Sequence, residues 1–205
     1  VTTDDSGFPF VTHIPLKLEE EGGKPVRLLG HCARGNPLWR YLQQRPLALA
    51  CFMGPQAYMS PQVYPDIQRV PTWCYLAVQA RVEVRLLDGD EAKDALLKQL
   101  IQDHEPVYAS QWRGLPEDYT HKMLQGITTF EMHIVDLQCS VKLNQHRPEA
   151  HQAMASAYAA GTSQEQGLAR APSPSSVRRP SSHQAESLHP TRKALLLAGT
   201  RRVGA

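Results

Sequence analysis

With 205 residues, 41% of them apolar, the chain can bury the core of one ordinary domain and still carry a tail. Its longest apolar runs, such as 47–53 (LALACFM), have strand length and fall far short of the roughly 18 residues that a membrane span needs. The net charge of +2 hides an asymmetry: residues 171–205 hold six of the 22 basic groups and one of the 20 acidic groups, leaving 16 and 19 for the first 170. The basic balance therefore belongs to the tail, and the acidic body argues against a DNA-binding groove, which places its excess Lys and Arg on the folded surface.

No basic stretch followed by an apolar one marks a secretory leader. Val1 opens inside strand-like sequence, so a preceding segment is expected to be missing. Cys32, Cys51, Cys74 and Cys139 are widely spaced, with no CxxC pair and no histidine at finger spacing. That pattern predicts buried thiols in a cytoplasmic protein rather than a zinc site.

In chain order, segment 8–18 (FPFVTHIPLKL) reads as a strand interrupted by Pro15, hence near an edge or a bulge. Glu21-Gly22-Gly23-Lys24 is a turn, and 25–31 (PVRLLGH) returns to complete a hairpin. A short helix follows with clear punctuation: Asn36 to cap it, Pro37 at its first position, Leu38, Trp39 and Leu42 as its apolar stripe, and Arg45-Pro46 to stop it. Residues 47–54 predict a buried strand, and 54–72, rich in Pro, Tyr and Ser, a long loop of the kind that is usually functional.

The best period-2 signal lies over 73–86, with Val78, Ala80, Val82, Val84 and Leu86 on one face and Gln79, Arg81, Glu83 and Arg85 on the other. Asp88-Gly89 turns the chain, and Asp90 is a candidate cap for a helix over 91–104 with Ala92, Leu96, Leu97, Leu100 and Ile101 inward. Pro116 opens a short helix to Leu124; residues 127–135 predict a strand with either Phe130, Met132 and Ile134 or their neighbours inward. A helix over 149–160 closes the domain. Past about 170 the Pro/Ser/Arg-rich composition cannot bury a core, so 169–205 is expected to be a disordered tail or a frameshifted end. Five or six mostly antiparallel strands with inserted helices predict an α+β, mainly β fold, partly closed into a barrel over 1–168.

Three constellations could carry chemistry. In GHCARGNP (30–37) a strand ends at His31 and a helix begins at Asn36-Pro37. A helix start favours a phosphate, Arg34 adds a planar bidentate donor, His31 adds another, and Gly35 leaves room for the anion. A well-capped turn with a solvated arginine explains the same residues. In GPQAYMSP (54–61) and VPTW (70–73), Tyr58 and Trp73 could stack on a flat ring while Ser60 and Thr72 donate hydroxyls; equally, they could pack a loop onto the barrel. In KLNQHR (142–147), Lys142, Asn144, Gln145 and Arg147 crowd donors at a strand end, suiting an anion or a polar ring edge, or simply solvent.

Taken together, HIPLKL (13–18), HCARGNP (31–37), GPQAYMSP (54–61), VPTWCY (70–75) and KLNQHR (142–147) resemble, in order and spacing, the PaiB-type FMN-binding negative transcriptional regulators of bacteria. The resemblance covers about residues 1–168. It implies an FMN-binding split barrel of the pyridoxamine-phosphate-oxidase-like class, a homodimer with flavin at the subunit interface, and about two dozen residues ahead of Val1. By motif position it implies His31, Arg34 and Asn36 on the phosphate side, Tyr58, Ser60, Thr72 and Trp73 near the ring, and Lys142, Asn144 and Gln145 completing a site from the same or the partner chain. The family's last helix continues through Gly167-Leu168-Ala169-Arg170, where this sequence departs into its tail. Three functions remain open: a flavin-binding regulator that reaches DNA directly or through a partner, a flavin-dependent oxidoreductase, and a truncated copy that binds nothing. The lack of a helix-turn-helix pattern and the acidic body weigh against direct DNA contact.

Overall fold

A computed structural model of the chain describes residues 1–87 and 89–171. Asp88 and residues 172–205, nearly all of the tail expected over 169–205, lie outside the described residues, while Ala169 still belongs to a helix.

The elements run β1 (Thr2–Thr3), β2 (Pro9–Phe10), β3 (Leu16–Glu21), β4 (Lys24–Ala33), α1 (Leu38–Gln44), β5 (Leu47–Met59), β6 (Thr72–Leu87), α2 (Asp90–His104), α3 (Ala109–Arg113), α4 (Glu117–Gln125), β7 (Ile127–Lys142), α5 (Pro148–Ala159) and α6 (Ser163–Ala169). Strands β3 to β7 form one five-stranded antiparallel sheet in the order β3-β4-β7-β6-β5, beside a two-stranded β1-β2 ribbon. This is the mainly β class with inserted helices that the sequence predicts. By Cα clustering the chain falls into two compact units, Val1–Ala50 with Ala80–Leu137, and Cys51–Gln79 with Gln138 onward.

The first unit opens with the expected hairpin. Gly22 and Gly23 both adopt positive φ, the geometry that a two-residue turn needs to match strand twist. Pro15 separates β2 from β3, and β3 lies at the sheet edge with a register irregularity between Glu19 and Glu20, as an interrupted edge strand should. Helix α1 ends where Arg45-Pro46 predicts, but begins one residue late: Pro37 precedes it, and the Asn36 side chain accepts the Leu38 N–H at 2.9 Å. On β6, Ala80, Val82 and Val84 are buried while Arg81, Glu83 and Arg85 are exposed, so the period-2 pattern holds. Asp90 is not the cap of α2. Gly89 takes that place, and Asp90 stands in the first turn, where it accepts from Gln125 (3.0 Å) and pairs with His121 (2.6 Å) on α4. Of the apolar stripe expected on α2 only Leu96 is fully buried; Lys93 shares that face.

Two strands are longer than predicted. β5 runs to Met59, so the functional loop shrinks to 60–71, and β5 is not buried throughout: Leu47 and Met53 are 71% and 60% exposed. β7 continues seven residues past Val135; Phe130 and Met132 face inward as expected, whereas the next buried position is Leu137, an odd number of residues on. In the second unit α5 begins one residue before its predicted start and neighbours α6, which the sequence reading did not resolve. Cys32 and Cys74 are buried as expected; Cys51 is exposed and Cys139 half-buried. Among the described residues no helix is long and apolar enough to cross a membrane.

Candidate functional site

The end of β4 carries the first constellation. His31 lies opposite Thr129, and Cys32 opposite Thr128, on β7. Arg34 follows the last residue of β4, where its backbone N–H donates to the Gly126 carbonyl at 2.8 Å. Its guanidinium donates through Nη1 to Thr128 Oγ1 at 3.0 Å and lies 4.3 Å from the centre of the Trp39 ring. No carboxylate pairs with it among the described residues. A planar fork has five N–H donors, so one bond to a neutral hydroxyl leaves most of them available for an anion.

His31 behaves differently from Arg34. Burial holds its imidazole below the ordinary histidine range, and its Nδ1 is buried without a hydrogen-bond partner. At neutral pH it therefore offers a hydrogen bond rather than a charge. Asn36 is engaged at both ends of its amide: Oδ1 accepts from Leu38 and Nδ2 donates to Thr12 Oγ1 at 3.1 Å. It shapes the turn with one of its two N–H donors engaged. A Cβ on Gly35 would meet nothing within 4 Å, so the space beside Arg34 is open.

The second unit gathers the other predicted residues. Tyr58 and Trp73 form an edge-to-face pair, ring centres 6.4 Å apart, and both remain about half exposed. Ser60 caps the 3-10 turn Pro61–Val63 by accepting the Gln62 N–H at 3.2 Å. Thr72 is half-buried at the start of β6. Lys142 is exposed at the end of β7. Asn144 is buried with φ of 59°, a left-handed conformation that asparagine tolerates better than most residues. Its Oδ1 accepts from the Tyr64 hydroxyl at 3.1 Å, and its Nδ2 is buried with no partner. Gln145 folds back on its own backbone, donating to Val141 and accepting from Leu143, so it closes a turn.

Beneath Tyr58 and Trp73 lies a sulfur-rich layer. The fully buried Cys74 thiol lies 3.8 Å from Met59 Sδ, and burial raises its pKa. The Tyr158 hydroxyl donates to the Tyr58 carbonyl at 3.3 Å, and burial with the nearby Cys74 raises its pKa as well. These groups stay neutral and hold the backbone under the exposed rings. Tyr64, Tyr158, Trp39 and Thr128 were all missed as partners of the predicted residues. Their side chains carry no pattern of their own, and they meet those residues only through the fold.

Residues 1–136 match the protein family described as "Putative FMN-binding domain". The protein named "Protease synthase and sporulation protein PAI 2" from Bacillus subtilis (strain 168) is 34% identical over 153 residues, 73% of this chain and 72% of that protein. The chain belongs to the PaiB-type FMN-binding family. Among solved structures it is similar to the flavocytochrome Anf3 from Azotobacter vinelandii (TM-score 0.47, 16% identity, 70% of this chain and 60% of that one). It is similar also to an FAD- and heme-binding protein from Mycobacterium smegmatis (TM-score 0.47, 17% identity, 69% and 62%).

The residues fit the cofactor that the family binds. FMN brings a phosphate dianion and a flat, amide-edged ring. The first unit offers an arginine that pairs with no carboxylate among the described residues and the orphan Nδ1 of His31; the second, by itself, offers two exposed aromatic faces, the Lys142 ammonium and the orphan Nδ2 of Asn144. A buried polar atom without a partner costs roughly 1–3 kcal/mol, which a ligand bonded to it would recover.

Proposed function

We propose that this chain is an FMN-binding regulator of transcription, acting as a homodimer in the cytoplasm. The observation that carries the flavin assignment is Arg34, a guanidinium held in place by neutral groups and, among the described residues, paired with no carboxylate. In the first unit Arg34 takes the phosphate, His31 adds an uncharged hydrogen bond, and Asn36 fixes the turn that presents them. In the second unit Tyr58 and Trp73 serve the ring faces. Asn144 and Lys142 serve its polar edge, while Ser60, Thr72 and Gln145 order the backbone around them. FMN, once bound, supplies the redox chemistry itself.

Regulation is supported by the likeness to the Bacillus protein, whose name ties it to protease synthesis and sporulation. The dimer is supported by β5, an edge strand that exposes Leu47, Cys51 and Met53 at odd positions along its length. Apolar residues exposed along a sheet edge are normally covered. With the net acidic charge of residues 1–170, the folded body reaches DNA through a partner rather than through a basic groove of its own.

Arg34→Ala tests the assignment. The substitution should weaken FMN binding by about 1.5–3 kcal/mol and leave riboflavin, which lacks the phosphate, nearly unchanged. Fluorescence titration of both flavins measures this directly, and an unchanged FMN affinity would move the phosphate elsewhere.

A further inference from the structure

Arg34 is held from several sides, and every group that holds it is uncharged. Thr128 Oγ1 accepts from Nη1 at 3.0 Å, and Thr128 is 2% exposed, so this acceptor cannot swing away. The guanidinium lies 4.3 Å from the Trp39 ring centre, within the range of a cation–π contact. Trp39 is fixed in turn: its indole N–H donates to the Arg34 carbonyl at 3.0 Å. The Arg34 backbone N–H is tied to Gly126.

A free arginine side chain holds rotamer entropy that an incoming anion must overcome. Stacking and one hydrogen bond remove much of that cost in advance. An aspartate or glutamate could orient the guanidinium as well, but would neutralise the charge that the anion needs. A hydroxyl and an indole face do the first without the second.

We infer that Trp39 and Thr128 are positioning residues that preset the Arg34 guanidinium for a phosphate monoester. The inference rests on the assignment of Arg34 to the FMN phosphate. Neither residue need touch the flavin, so both act through Arg34, and their effect should be confined to ligands that carry the phosphate.

The test is a set of FMN and riboflavin dissociation constants, measured by flavin fluorescence on the full chain, with thermal unfolding of each variant alongside. Thr128→Val should weaken FMN about 3- to 10-fold and change riboflavin by less than about twofold. Thr128→Ser, which keeps the hydroxyl, should restore FMN binding. Trp39→Leu should show the same selective loss, and Trp39→Phe, which keeps an aromatic face, a smaller one. In an Arg34→Ala background Thr128→Val should add less than about twofold, because the route through Arg34 is already cut.

Equal weakening of both flavins, or a Thr128→Val loss that persists without Arg34, would overturn the inference. If Thr128→Val does not fold, the Trp39→Phe and Trp39→Leu pair decides by the same criterion. A silent Arg34→Ala would instead remove the phosphate assignment itself; a strong Arg34→Ala beside silent Thr128 and Trp39 variants would remove only the positioning.

Discussion

His31 and Arg34 stand three residues apart, and their surroundings give them opposite electrostatic roles. Arg34 is exposed and lies against the Trp39 ring; His31 has its Nδ1 buried without a partner, and burial lowers its pKa. The sign of the stability consequence follows from where each state takes up its proton. The unfolded chain protonates this imidazole near 6.5, the folded chain only at lower pH. Between those values the unfolded state binds more protons, so the contribution is full above about 6.5 and is lost as the pH falls through that window. His31→Gln should flatten the decline of melting temperature between pH 7 and pH 5. An identical decline in both proteins would show that His31 is not the group responsible.

At the scale of elements, strand β4, flanked by β3 and β7, depends on a glycine whose importance lies in packing rather than in turn geometry. A Cβ on Gly30 would stand 2.6 Å from Leu16 Cδ2 and 3.0 Å from Phe130 Cε2, side chains of its cross-strand partners on β3 and β7. Gly30→Ala should therefore destabilise the chain by about 1–3 kcal/mol, as overpacking of a tight core does. Gly35→Ala, with nothing within 4 Å, should stay within about 0.5 kcal/mol of wild type. Equal melting points for the two variants would show that Leu16 and Phe130 yield easily. Elements with local chemical punctuation were legible in the sequence: the Gly22-Gly23 hairpin, α1 between Asn36 and Pro46, and the alternating face of β6. The far ends of β5 and β7 were not. Pro55 broke the apparent strand signal on β5, and on β7 the buried positions change phase between Met132 and Leu137. Helix α6 was legible but passed over, for Thr162 and Glu165 form the reciprocal capping box that a T-x-x-E spacing announces.

For the whole molecule, the ordered motifs were sufficient to place the chain in an FMN-binding family, because residue types at fixed positions survive where overall identity falls to 34%. Individual roles were less legible. Asn36, Ser60 and Gln145 each also serve the local backbone or Thr12 through side-chain atoms that could meet a ligand. Only a folded structure reveals such commitments. Trp39 and Thr128 could not be singled out, since Thr128 meets Arg34 across 94 positions of sequence. The central claim concerns the cofactor, and one measurement reaches it directly: the visible absorption spectrum of the purified chain before and after addition of FMN. The account predicts a protein-bound flavin band near roughly 450 nm that stays with the protein through gel filtration, the flavin carrying its own chromophore. A chain that emerges colourless after incubation with FMN, and that leaves FMN fluorescence unquenched, would contradict it.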